Sequence, residues 1–218
     1  MPYYARFMCK EDIAQVTEID REAFPTQWPP ANYQHELQNR LAHYIVACDE
    51  EITVEEPEVK ASPEKGFPRL TSRVRQLFNH RFFSNELPPS GREYVAGFAG
   101  LWIMADEAHI ANIAVRELHR RQGIGELLLI STIDLATGLN AHIITLEVRA
   151  SNTAAQNLYH KYGFAQTGLH RGYYTDNKED AVLMATKDIV SPSFQVRLQR
   201  LKQAHSRKWG IALYQIAG

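Results

Sequence analysis

The first part of the chain has apolar residues at two spacings. Ile13, Val16 and Ile19 recur every three residues, which is typical of an amphipathic helix, and the flanking runs of apolar residues are typical of strands. The first 49 residues therefore predict the order β-α-α-β. The predicted strands are residues 3–8 and 43–49, and the predicted helices are residues 10–24 and 31–42.

From residue 93 onward, short apolar runs alternate with helical patterns, and the two helices end near Gly138 and Gly163. With the first part, this series predicts an α/β fold: a mixed seven-stranded sheet with helices on its faces. The first two strands of the series are predicted to form a hairpin. The predicted strands are 93–104, 109–115, 142–149, 164–174 and 180–189, and the predicted helices are 123–139 and 152–163.

Two segments depart from this series. Residues 50–92 change from acidic to basic and are punctuated by prolines, which predicts an insertion. An amphipathic helix is predicted within it at 71–83, and the insertion either covers a sheet edge or docks a partner. Residues 190–218 carry five basic residues and no acid, which predicts a basic helical extension to a single domain at 1–189. This extension either packs by its apolar face or contacts the ribosome or RNA.

Composition and charge exclude several classes of protein. The 218 residues are 44% hydrophobic with a formal net charge of −1, so we expect a globular protein without sequence-specific nucleic-acid binding. Cys9 and Cys48 do not form a CxxC pair, and the nine histidines lack metal-ligand spacing, so we expect packed thiols and no metal. No run approaches the roughly 20 apolar residues of a membrane span, and no leader is recognisable. We therefore expect a cytoplasmic protein with no membrane partner.

The hexapeptide RRQGIG, residues 120–125, lies between a predicted strand and a predicted helix. It fails the dinucleotide pattern because Leu128 stands where a third glycine is needed, and it lacks the Gly-Lys-Ser/Thr ending of a P-loop. Exposed N–H groups, a helix N-terminus and two arginines favour an anion cradle that suits a pyrophosphate. The alternative is a plain turn with two glycines.

The segment LEVRASNTAAQNLYHKYGF, residues 146–164, holds the candidate catalytic groups. Alternation along the strand places Glu147 opposite an apolar face, so it is either a general base in a cleft or a solvated carboxylate. Asn152 and Tyr159 are seven residues apart, which predicts that they share one face of the following helix. Tyr159 is either an acid or a packing residue.

Four segments together resemble the GNAT acetyltransferases, and most closely the RimI-type protein N-terminal acetyltransferases. They are NIAV (112–115), RRQGIG (120–125), residues 146–164 and GYYTDNKEDAVLM (172–184). The resemblance is close over 93–189 and looser over 3–48. It implies a twisted, mostly antiparallel sheet and acetyl-CoA as the acetyl donor.

The resemblance also implies a role for each matching residue. Glu147 would be the general base and Tyr159 the general acid. The pantetheine arm would pair with Ile113, Ala114 and Val115. The rest of coenzyme A would contact Arg120, Arg121, Gln122, Gly123, Ile124, Gly125, Glu126 and Asn152. The peptide amino terminus would lie between the loop residues Phe24, Pro25 and Trp28 and the hairpin residues Tyr173 and Tyr174.

The sequence therefore predicts an enzyme that acetylates the α-amino group of a protein, with an N-terminal alanine of a ribosomal protein as one candidate substrate. Two alternatives remain open at this point. The first is a GNAT enzyme that acetylates lysine side chains or a small amine. The second is an acetyl-CoA-binding regulatory partner with little turnover.

Overall fold

The computed structural model describes residues 3–24, 31–53 and 93–210. Predictions for Pro25, Trp28 and the helix at 71–83 lie outside the described residues, as does most of the predicted insertion. The strands are β1 (Tyr3–Phe7), β2 (Ala42–Thr53), β3 (Glu93–Met104), β4 (Glu107–Val115), β5 (Ile143–Arg149), β6 (Ala165–Tyr174) and β7 (Glu179–Ala185). The α-helices are α1 (Ile13–Ala23), α2 (Tyr33–Glu36), α3 (Ile124–Gly138), α4 (Thr153–Lys161) and α5 (Pro192–Trp209).

The strands form one sheet in the order β1-β2-β3-β4-β5-β7-β6. Neighbouring strands are antiparallel except β4 and β5, which are parallel. A parallel pair needs a crossover connection, and α3 supplies it. The predicted fold class, a mixed and mostly antiparallel seven-stranded sheet with flanking helices, is confirmed.

The predicted helix at 31–42 is wrong in length. Helix α2 has four residues, capped by the Asn32 side chain, which accepts a hydrogen bond from the His35 amide. The chain then turns, and β2 already pairs with β3 at Ala42, opposite Trp102. Pairing with the sheet therefore overrides the local helical pattern. Strand β2 also continues to Thr53, so the sheet includes the first residues assigned to the insertion.

Each face of the sheet has its own core. Helix α3 is buried nearly all round, which explains its almost continuous apolar sequence, and it packs on one face with Tyr159 and Tyr162 of the α4 region. Val16 and Ile19 of α1 pack on the other face with Phe98. None of the helices in the described ranges combines the length and apolar character needed to cross a membrane.

The parallel strands β4 and β5 stay paired over only half of their length. Residues Glu107–Ile110 pair with Ile143–Leu146, and the β3–β4 register then shifts between Gly100 and Leu101. Such a bulge bends the strand that carries the extra residue. The carboxyl-terminal parts of both strands, 111–115 and 147–149, are therefore unpaired with each other and border a cleft. Helices α3 and α4 follow these two ends.

Candidate active site

The loop that leads from β4 to α3 has two residues in the left-handed backbone region. Arg121 has a φ of 65° and Gly123, the N-cap of α3, has a φ of 83°. Turns of this kind bring successive backbone N–H groups to one concave side, where they bind anions. The first N–H groups of α3 have no carbonyl partner within the helix and carry its positive dipole end. The loop has the geometry of an anion cradle.

The two glycines of the loop serve different purposes. A Cβ at Gly123 would lie 2.7–2.9 Å from indole atoms of Trp209, in addition to the positive φ, so the fold itself requires glycine there. A Cβ at Gly125 would meet only Val115 Cγ2, at 3.8 Å. The space in front of Gly125 is therefore open, as a ligand that approaches the backbone closely would need.

Side chains of the loop are mostly held by the protein itself. The Tyr3 hydroxyl donates to Gln122 Oε1 at 3.0 Å, and Arg120 Nε donates to the Val115 carbonyl at 3.3 Å. Glu126 points to the α4 region, where Lys161 Nζ lies at 2.5 Å and the Tyr162 hydroxyl at 2.7 Å. Burial opposes ionisation of Glu126, but these two hydrogen bonds prevail and lower its pKa. Lys161 thus balances the negative charge of the Glu126 carboxylate, which leaves the backbone N–H of Glu126 available to an anion.

Glu147 stands at the start of the diverging part of β5. Its neighbours Leu146 and Val148 are buried on the other face, whereas its own side chain is about a quarter exposed (26%). The predicted alternation is therefore observed. His109 Nε2 on β4 lies 3.2 Å from Glu147 Oε2. A carboxylate in contact with an imidazole is suited to accept a proton from a substrate.

His109 is a functional candidate that sequence reasoning missed. Its other nitrogen, Nδ1, is 3.0 Å from Thr145 Oγ1, and that hydroxyl donates its proton to Glu107 Oε1 at 2.8 Å. Thr145 must then accept from Nδ1–H. Nε2 is then the ring nitrogen that faces Glu147 Oε2. The signal would have been the register of β4 on β5, which pairs His109 with Thr145 and which the sequence pattern does not specify.

Two tyrosines, Tyr173 and Tyr174, lie close enough to feel the charge of Glu147, and a third, Tyr159, neighbours Tyr174. Burial, and then the negative charge of Glu147, raise the pKa of Tyr173. Burial raises the pKa of Tyr174 to about 12, opposed by Arg149 and reinforced by Tyr173 and Glu147. Burial and the neighbouring Tyr174 raise the pKa of Tyr159 to about 12. All three phenols therefore keep their protons at neutral pH, which is the state that hydrogen-bond donation to a substrate requires.

Two other predicted residues are placed differently. The prediction that Asn152 shares a helix face with Tyr159 is wrong. Asn152 precedes the helix as its N-cap, and its side-chain oxygen accepts from the Ala155 amide at 3.1 Å. It is exposed, whereas Tyr159 is buried. Its amide nitrogen is the group left to offer a cofactor. Phe24 follows α1 as its C-cap and packs, partly buried, against the core on the face of the sheet that α1 covers.

Arg149, two residues after Glu147, was also missed. Its guanidinium donates to Asp176 at 2.8 Å and to Glu179 at 2.9 Å, and it lies 4.0 Å from the centre of the Tyr174 ring. Hydrogen bonds from Ser151, then Arg149, lower the pKa of Glu179 to about 2, so the pair is ionised. Arg149 thereby fixes the β6–β7 turn and Tyr174 to the end of β5.

For the acetyl transfer to a peptide that the family resemblance implies, replacing Arg149 with methionine is expected to raise the KM for the peptide about tenfold, equivalent to about 1.4 kcal/mol, because Tyr174 and its turn lose their anchor. The KM for acetyl-CoA should stay within about twofold of the wild-type value. Steady-state kinetics with each substrate varied in turn measure both constants. Arg171→Met, on the exposed surface of β6, is the matched control. A change confined to the KM for acetyl-CoA would contradict the positioning role.

Comparison with known proteins agrees with this geometry. The acetyltransferase (GNAT) family profile matches residues 52–164. A protein from Bacillus subtilis (strain 168), named as a candidate [ribosomal protein bS18]-alanine N-acetyltransferase, is 33% identical over 180 residues, 82% of this chain and 91% of that protein. This chain belongs to the GNAT family. The predicted family and enzyme class are confirmed.

Two further relatives lie in the same part of the GNAT family. The N-alpha-acetyltransferase of Sulfurisphaera tokodaii is 31% identical over 176 residues, covering 80% of this chain and 86% of that protein. The crystal structure of the ribosomal-protein-S18-alanine N-acetyltransferase from Escherichia coli aligns with a TM-score of 0.59 and 25% identity, over 85% of this chain and 94% of that one. The RimI-like resemblance is thereby confirmed.

GNAT enzymes use acetyl-CoA, and the residues present fit that molecule. The concave N–H groups of Arg121–Glu126 match a pyrophosphate in charge and reach, and the open space at Gly125 admits it. The free edge of β4 over Ile113–Val115 suits an extended arm that pairs like a strand. Among the described residues, no cluster of three or more His, Cys, Asp or Glu side chains is arranged to hold a metal ion.

Proposed function

We propose that this GNAT enzyme transfers the acetyl group of acetyl-CoA to the α-amino group of a protein amino terminus. The observation that carries the proposal is the pair of Glu147 and His109, 3.2 Å apart at the start of the cleft between β4 and β5. A proton acceptor there stands beside the strand edge assigned to the acetyl donor. Relatives named for alanine N-acetylation and N-alpha-acetylation support the same reaction.

The chemistry follows from the state of the substrate amine. A peptide α-ammonium has an ordinary pKa of about 7.7–8.0, so at neutral pH most of it must lose a proton before it can attack a thioester. Glu147 with His109 accepts that proton, directly or through water. The amine then attacks the acetyl carbon, and backbone N–H groups of β4 stabilise the negative charge on the acetyl oxygen. When the carbon–sulfur bond breaks, its electron pair goes to sulfur, and the second proton of the attacking nitrogen ends on that sulfur. The products are then the acetylated amine, the thiol of coenzyme A and the one proton held by Glu147 with His109. No covalent enzyme intermediate is needed.

Tyr159 acts on the departing sulfur. An ordinary thiol has a pKa near 8.5, so it is a stronger acid than Tyr159, whose pKa is raised to about 12. Complete proton transfer from the phenol to a free thiolate would therefore be uphill. We infer that Tyr159 stabilises the developing thiolate by donating a hydrogen bond as the carbon–sulfur bond breaks.

The proposed peptide site lies between Phe24 and the hairpin residues Tyr173 and Tyr174. The rings of these two tyrosines meet edge to face at 5.2 Å, and Arg149 anchors the second. We propose a ribosomal protein with an amino-terminal alanine as the substrate, a choice that rests on the names of the relatives. Such a substrate would place the reaction in the cytoplasm.

Acetylation of paired peptides tests the proposal. We expect acetyl transfer from acetyl-CoA to a peptide with a free amino-terminal alanine, with little transfer when the same peptide is blocked at its amino terminus but keeps a lysine. Mass spectrometry of the products locates the acetyl group. Transfer to the lysine side chain alone would favour a lysine acetyltransferase, and binding of acetyl-CoA without turnover on any amine would favour a regulatory role. Either outcome contradicts the proposal.

A further inference from the structure

Helix α5, the basic extension that the family resemblance leaves unexplained, packs on the loop 120–125 at Gly123, the N-cap of α3. His205 is buried, with 2% of its surface exposed, and its Nε2 lies 3.1 Å from the Gly123 carbonyl oxygen. The same carbonyl accepts the first hydrogen bond of α3, from the Leu127 amide at 2.9 Å. A carbonyl oxygen has two lone pairs, so both bonds can form together.

The protonation of His205 is fixed by its partner. A carbonyl oxygen only accepts, so the proton on the ring must be on Nε2. The other nitrogen, Nδ1, is buried and lacks a hydrogen-bond partner among the described residues. The proton that makes the contact is therefore the one on Nε2. His205 is therefore a directed donor to a single backbone atom.

Holding this carbonyl orients the next amide. In a trans peptide the C=O of one residue and the N–H of the next point in opposite directions within one plane. The contact of His205 with the Gly123 carbonyl therefore turns the Ile124 N–H away from α5, toward the open side of the loop. Trp209 also restricts Gly123 sterically, because the Trp209 indole lies where a side chain at Gly123 would begin.

The helix that carries these two residues is itself anchored elsewhere. Lys202 Nζ is 2.5 Å from Asp134 on α3. Arg197 donates to the His160 carbonyl at 3.1 Å and to the Lys161 carbonyl at 2.8 Å, at the end of α4. Leu198 is buried in the core beneath. These contacts hold α5 against both helices that follow the cleft, so His205 and Trp209 meet the loop in one orientation.

We propose that His205 and Trp209 of α5 are positioning residues that hold the Gly123 peptide so that the loop N–H groups are aimed at the pyrophosphate of acetyl-CoA. The inference rests on the proposed function of the loop. The extension is then part of the acetyl-CoA site, acting through Gly123 without touching the reacting atoms.

Binding of coenzyme A to the full-length protein tests this role. His205→Leu is expected to raise the Kd for coenzyme A, measured by calorimetry, and the KM for acetyl-CoA by about tenfold, the size expected when a hydrogen bond near a charged ligand group is lost. The peptide KM and the kcat at saturating acetyl-CoA should change by less than about twofold. Trp209→Leu should show the same pattern. His205→Gln, which keeps a donor at similar reach, should recover most of the affinity.

Two controls separate the possible failures. Arg197→Met weakens the attachment of α5 to α4 without touching the loop, so equal losses of coenzyme A affinity in Arg197→Met and His205→Leu would overturn the positioning role. Gly125→Ala adds a methyl group that the fold can accommodate, because a Cβ there would meet only Val115 Cγ2 at 3.8 Å. The methyl group would, however, occupy space that the proposal assigns to the pyrophosphate. If Gly125→Ala raises the Kd for coenzyme A while His205→Leu and Trp209→Leu leave it unchanged, the inference is wrong and the loop assignment stands. If Gly125→Ala, His205→Leu and Trp209→Leu all leave the Kd for coenzyme A unchanged, the loop assignment fails as well.

Discussion

Replacing Glu147 with glutamine is expected to lower kcat/KM for a peptide about 10²–10⁴-fold near neutral pH, the usual contribution of a positioned general base. Glutamine keeps the size of the side chain but cannot accept the ammonium proton. His109 Nε2, 3.2 Å away, would then face a neutral amide in place of a carboxylate. Binding of coenzyme A should be retained.

The pH dependence makes this prediction sharper. Above about pH 9 most of a peptide amine is already the free base, since its ordinary pKa is about 7.7–8.0. The ratio of wild-type to Glu147→Gln activity should therefore shrink as the pH rises from about 6.5 to about 9.5. Initial rates measured at subsaturating peptide concentration for both proteins at each pH give this ratio. Unchanged turnover of the variant near neutral pH would show that Glu147 is not the base.

A matched control uses a carboxylate outside the cleft. Glu18 on α1 is 63% exposed and pairs with Arg116 at 3.0 Å, so Glu18→Gln removes one negative charge without touching the site. Its activity should stay within about twofold of the wild type at each pH, because exposed ion pairs contribute little. An equal loss in this control would attribute the effect of Glu147→Gln to net charge.

The sequence predicts those features of the site that depend on local pattern. Alternation along one strand predicts that Glu147 lies opposite Leu146 and Val148, and the structure confirms it. The glycine spacing of 120–125 predicts a tight strand-to-helix turn, and Gly123 does adopt a positive φ. Each of these statements involves residues a few positions apart, where backbone geometry decides the outcome.

Features that depend on register or packing could not be predicted in this way. His109 meets Glu147 only because β4 and β5 pair in one register, in which each residue pairs with one 36 positions further along the chain. The contact between His205 and Gly123 joins residues 82 positions apart. The Asn152 prediction was wrong because a helical face was extended one residue beyond the helix, to a side chain that caps it. Contacts between residues far apart in the sequence depend on strand register and packing, which local periodicity does not determine.

Replacing Tyr159 with phenylalanine is expected to lower kcat about 10²-fold or more, within the range of acid–base contributions, and to leave the KM for peptide nearly unchanged. The ring packs against Phe164, with centres 5.6 Å apart, and its hydroxyl makes no hydrogen bond to other described residues. Phenylalanine therefore preserves the packing, and the loss should fall on departure of the thiolate. Tyr94→Phe is the control and should keep its activity, because the Tyr94 ring contacts His119 and Arg116 and has no proposed role at the sulfur.

The raised pKa of Tyr159 determines how this residue affects the pH dependence of kcat. Since burial raises that pKa to about 12, the phenol keeps its proton as the pH rises through the neutral and mildly alkaline range, and loses it only near the raised value. The wild-type kcat should therefore show no decline due to Tyr159 up to about pH 10. A decline with a midpoint near pH 8–9 that disappears in Tyr159→Phe would contradict this, because it would require a phenol more acidic than an ordinary tyrosine. A kcat that is unaffected by Tyr159→Phe would instead assign stabilisation of the thiolate to another donor in the cleft, with Tyr174 the neighbouring phenol whose proton is also retained.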